Sequence, residues 1–83
     1  MTNRCPLYAV AVIGAKDKES LIKMGWKASP YQPHICWEFV EHLQYPAKKL
    51  ARMIRDATDA DAVHVYRGRG ARGRLIAMAE KDD

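Results

Sequence analysis

The residues best suited to chemistry lie in RGRGARGR, where Arg67, Arg69, Arg72 and Arg74 are spaced by Gly68, Gly70, Ala71 and Gly73. A guanidinium donates paired N–H groups in a planar fork that matches a phosphate, and glycine spacing lets the backbone follow a nucleic-acid surface. Tyr66 stands at the root of this segment, where its ring could stack on a base. The same letters also fit a solvated hairpin turn, with glycines supplying positive φ and arginines supplying solubility. Clustering brings the first reading close to even with the second. Between Lys48 and Arg74 lie eight basic residues (Lys48, Lys49, Arg52, Arg55 and the four arginines) against three acidic ones (Asp56, Asp59, Asp61), although the whole chain carries only +4. A local basic excess of this kind is an electrostatic footprint for an anionic partner.

Other chemistries lack their patterns. His34 and Cys36 are two apart and share a strand face, with His42, His64 and Cys5 as further metal ligands in principle. The paired cysteine spacings of zinc sites are missing, so no metal is expected. Cys5 and Cys36 read as two reduced, buried thiols. Gly68-x-Gly70-x-x-Gly73 matches the dinucleotide fingerprint by letters, but a strand-like RLIAMA follows where a helix must receive the pyrophosphate. Neither a G-x-S-x-G elbow nor a P-loop occurs. The expectation is a chain with no catalytic residue and no cofactor.

Leu7–Val12, followed by LIKMGWKASP at Leu21–Pro30, resembles the opening of GIY-YIG-type nucleases, which carry a strand pair with a K-I-G-x-T element. The resemblance implies a catalytic arginine on a following helix. This chain has PYQPHICW there and no arginine between Arg4 and Arg52, so no catalytic residue carries over. An enzyme would then need a cleft gathering Tyr8, Lys23, Glu38 and a cation-binding carboxylate.

These groups must be positioned by one domain, residues 1–83. A chain of 83 residues exceeds the size that needs disulfides or metals, and 48% hydrophobic with 29% charged residues is a globular composition. No apolar run approaches a membrane span, and Arg4 followed by Leu7–Ile13 is too short for a leader and lacks a cleavage site. A cytoplasmic protein with no membrane partner is expected.

Leu7–Ile13 reads as a strand stopped by Gly14. Tyr8, Val10 and Val12 on one face and Ala9, Ala11 and Ile13 on the other suit a central strand. One helix cannot cover both faces, so a second copy of the chain or a folded-over segment is expected to cover the other. Leu21–Lys27 has two readings. As a helix it would use Asp17 as N-cap and Gly25 as stop; as a strand, Ile22, Met24 and Trp26 face inward. The alternation favours a strand hairpinned to the first. His34–Glu41 alternates again, with Ile35, Trp37 and Phe39 sharing one face. Pro46–Thr58 is an amphipathic helix, Pro46 at its first position, with Ala47, Leu50, Ala51, Met53, Ile54 and Ala57 on one stripe and Lys48, Lys49, Arg52, Arg55 and Asp56 opposite. Ala62–Arg67 and Arg74–Ala79 close a hairpin.

The predicted fold is α+β, in the order β-β-β-α-β-β, a mostly antiparallel sheet with one amphipathic helix across one face. The predicted function is a small non-enzymatic nucleic-acid-binding accessory module. Phosphate contacts would come from Arg67, Arg69, Arg72 and Arg74 with Lys48, Lys49, Arg52 and Arg55, and Tyr66 would stack. The alternative is a protein-interaction or inhibitor module, of a mobile-element or phage accessory kind, docking through a basic or apolar surface to a protein partner or as a homodimer.

Overall fold

The sheet is built outward from β1 (Tyr8–Ile13), whose β-branched and small residues suit a strand buried on both faces. In the computed structural model, which describes residues 7–68 and 73–81, β1 is followed by α1 (Lys18–Lys23), β2 (Lys27–Ala28), β3 (Ile35–Val40), α2 (Ala47–Thr58), β4 (Ala62–Arg67) and β5 (Arg74–Glu80). The five strands form one sheet in the order β2-β3-β1-β4-β5, antiparallel throughout. The fold is α+β, as expected. From β1 to β4 the connectivity is that of a β-α-β-β-α-β split β-α-β unit, and β5 extends it by a hairpin.

Register assigns the two faces. Val10 lies between Glu38 and Val65, and Val12 between Cys36 and Val63. These valines join Cys36, Ala79, Leu21 of α1 and Ala51 of α2 in one buried cluster, so both helices lie on the same side. The opposite side of β1 carries Ala9, between Phe39 and Tyr66, and Ala11, between Trp37 and His64. Both alanines are buried, yet no described helix lies over them. Small side chains on the central strand leave room for the large rings of its neighbours to lean inward. Trp37 and Tyr66 meet across β1 with ring centroids 5.9 Å apart. Aromatic side chains of the adjacent strands therefore supply the cover, where the sequence suggested a second copy or a folded-over segment.

Leu21–Lys27 is not the expected strand. A helix occupies Lys18–Lys23, and only Lys27–Ala28 pairs, with Trp37 and Cys36 of β3. Asp17 caps the helix by accepting from the Ser20 N–H at 3.1 Å and the Ser20 hydroxyl at 2.7 Å. These bonds hold its carboxyl below the usual carboxylate range, the hydroxyl contributing most. At the other end, Gly25 donates to the Ile22 carbonyl and Trp26 to that of Leu21, with Gly25 at φ +107. That is a Schellman closure, and its customary apolar contact joins the buried Leu21 and Trp26. The alternation of Ile22, Met24 and Trp26 came from this motif and not from a sheet face, as the 74% exposure of Met24 shows.

The main helix matches its periodicity. Ala51 is fully buried, with Ala47, Leu50 and Ile54 packed around it, while Met53 and Ala57 fall at the exposed rim. Pro46 stands one position before the helix, as its cap, at φ −52 and ψ 140. Twelve residues give a rod of about 18 Å. Asp59, left-handed at φ 53, turns the chain into β4.

Because nothing lies within 4 Å of a methyl group placed on Gly25, Gly25→Ala isolates the conformational cost of its positive φ. Urea unfolding should show a loss of about 1–2 kcal/mol, with the slope against denaturant unchanged. On acidification, stability from the Asp17 cap is present above the unfolded carboxyl value and is lost as pH falls through the depressed folded one. Asp17→Asn, which keeps an acceptor, should flatten that acid limb in melting experiments.

Candidate nucleic-acid interface

The hairpin is held by its neck. Gly68 donates its N–H to the Leu7 carbonyl at 2.6 Å, extending the β1–β4 pairing by one residue. Gly68 and Gly73 then approach so closely that a methyl group on Gly68 would stand 2.7 Å from the Gly73 Cα, and one on Gly73 would stand 2.7 Å from the Arg67 carbonyl oxygen. Only glycine fits this crossing. Arg69 and Arg72 lie outside the described residues.

Arg67 and Arg74 sit directly opposite one another at the base of the hairpin, both exposed. Arg67 alternates with Val63 and Val65, which are buried under the helices, so its side chain leaves the sheet on the helix side. Neither arginine makes an ion pair or side-chain hydrogen bond with a described residue. Like charges in directly opposed positions repel. No acid among the described residues offsets them.

The basic face of α2 divides into two pairs. Lys48 Nζ donates to the Met78 carbonyl at 3.1 Å, and Arg55 Nη1 donates to the Glu80 carbonyl at 2.8 Å. Arg55 also pairs with Asp56 at 3.1 Å, and its side chain is only 14% exposed. These two cations therefore hold the outer carbonyls of the edge strand β5. Lys49 and Arg52 remain exposed, with the Lys49 ammonium 5.3 Å from the centroid of the Tyr45 ring.

Tyr66 sits apart from all of these. It projects from the helix-free face, half-buried, with its hydroxyl 3.1 Å from His64 Nδ1 and its ring beside Trp37. Trp37 stacks on Phe39 at 6.2 Å with the ring planes 12° apart, and Lys27 Nζ lies 5.9 Å from the Phe39 centroid. Leu75 and Met78 continue this surface across β5, both more than two-fifths exposed. Sequence reasoning grouped Ile35, Trp37 and Phe39 on one face but did not see that the face lacks a helix. The signal was available in Ala9 and Ala11, which are too small to fill a helix interface and are the right size to lie under rings.

Elsewhere, an open cleft of about 470 Å³ runs between the end of β3 and α2, floored by Val10, Leu50 and Ile54 and rimmed by Glu38, Glu41 and His42. It does not take in Tyr8 or Lys23, so the constellation an enzyme would need is not gathered there. Among the described residues no cluster of three or more His, Cys, Asp or Glu side chains is placed to hold a metal ion, and Cys36 is a buried free thiol. No described helix is long and apolar enough to cross a membrane. No family model, no curated protein and no solved structure matches the chain.

The edge contacts separate cations that brace β5 from one that does not. Lys48→Ala and Arg55→Ala should lower stability, by about 1 kcal/mol for Lys48 and more for the enclosed Arg55. Arg52→Ala should fall within about 0.5 kcal/mol of the parent. Thermal melts of the three variants provide the check.

Proposed function

We propose that the chain is a small, non-enzymatic nucleic-acid-binding module that grips phosphates through its arginine hairpin. The observation that carries this reading is the opposed pair Arg67 and Arg74, exposed and without an acidic partner among the described residues. A phosphate placed between two such guanidinium groups converts a repulsive pair into two charge-assisted contacts. Arg69 and Arg72 extend the same cationic segment in sequence, and Lys49 and Arg52 offer two further exposed charges from α2. Lys48 and Arg55 each give a donor to a carbonyl of β5, so the reading leans on the other six cations. A reducing cytoplasmic setting accords with the free thiol of Cys36.

With about four phosphates engaged, the logarithm of duplex affinity should fall against the logarithm of salt concentration with a slope of about −3 to −4. Replacing Arg67 or Arg74 by alanine should weaken binding of every sequence alike and reduce that slope by about one each. Lys48→Ala should leave the slope unchanged. Fluorescence anisotropy over a salt series measures all three. Absence of binding to any nucleic acid at low salt would remove the proposal.

A further inference from the structure

The helix-free sheet face carries groups suited to a ligand, and their chemistry complements that of the hairpin. We infer that Trp37, Phe39 and Tyr66 form a stacking platform for unpaired bases, so that single strands are taken in preference to duplex; this rests on the nucleic-acid reading above. Three observations lead there.

First, the rings are arranged rather than scattered. Trp37 and Phe39 lie nearly parallel, 12° apart, Trp37 reaches Tyr66 across the central strand, and Tyr66 is held by His64. Residues two apart on β3 and the facing ring on β4 thus make a continuous aromatic surface above Ala9 and Ala11. Second, this surface is open. Phe39 is 41% exposed, and neither helix lies on this side of the sheet. Third, a cation borders it. Lys27 stands over Phe39 at the β2 rim, while Arg67 and Arg74, next in sequence to Tyr66 and Leu75, leave the hairpin end on the helix side. An aromatic face bordered by a cation suits a strand whose bases stack while its phosphates run along the rim.

Charge and ring chemistry select this occupant over others. Duplex bases already bury their faces against one another and have none to offer a platform. A second copy of the chain would bring another +4 against the same cation-bordered face, whereas a polyanion neutralises it.

The test is anisotropy of a short fluorescein-labelled oligothymidylate at low salt, with a mixed-sequence duplex measured in parallel. Phe39→Leu and Tyr66→Leu should each weaken single-strand binding about tenfold or more and leave duplex binding unchanged. In a Trp26→Phe background, where Trp37 is the only tryptophan, the oligonucleotide should quench Trp37 emission. Lys27→Glu, at an exposed position, should weaken single-strand binding and serves if a ring variant fails to fold by circular dichroism. Unchanged single-strand binding in the folded variants, or unquenched Trp37, overturns the platform. If arginine-dependent duplex binding persists in that case, the phosphate-gripping module survives without it. Loss of all nucleic-acid binding fells both. A dimer in sedimentation equilibrium that Phe39→Glu dissociates assigns the face to a second copy and overturns the platform.

Discussion

The pairing of β1 on both edges while both of its faces stay dry is the constraint on which the rest of the molecule depends. Its six residues pair with β3 on one side and β4 on the other. A strand so engaged has its backbone groups partnered on both edges, and its apolar side chains obtain cover on the two faces by different means. Val10 and Val12 pack into the cluster completed by Leu21, Ala51 and Val63. Ala9 and Ala11 lie low and are roofed by rings from the neighbouring strands. The valine side requires two helices on one face, which the split β-α-β connections deliver. The alanine side requires aromatic residues on β3 and β4 and leaves their outer surfaces in solvent. The exposed aromatic face is thus a product of how the central strand is covered.

Cations serve the fold as well as any ligand. On α2, Lys48 and Arg55 reach β5 and close its outer carbonyls, while Lys49 and Arg52 stay exposed. A surface drawn from sequence alone counts all four alike. Helical periodicity tells which residues face away from the core but not which of those reach a neighbouring strand edge.

Much of the fold was legible for local reasons. Leu7–Ile13, His34–Glu41 and the apolar stripe of Pro46–Thr58 carry periodicities that their packing reproduces, and the hairpin strands fall where expected. Leu21–Lys27 was misread because the reading weighed alternation above end signals. Asp17, Ser20 and Gly25 spelled a capped two-turn helix, and Trp26 belonged to its closure rather than to a strand. The opposed arginines were visible as a cluster but not as a pair, since opposition depends on the register set at the glycine neck. The aromatic face was the least legible part. Its ring neighbours, Trp37 and Tyr66, are 29 positions apart in the chain and meet only through β1.

The closed edge of β5 has its own consequence for how any macromolecule can approach. One side of the sheet ends in a strand whose outward carbonyls at Met78 and Glu80 are occupied by α2. The other ends in a strand of two residues. Neither border offers a long free ladder on which an extended peptide or a neighbouring sheet could continue the pairing. Growth by strand addition, whether as recognition or as aggregation, is blunted at both ends. A partner recognised by the proposed surfaces would meet side chains rather than a free ladder of main-chain hydrogen bonds.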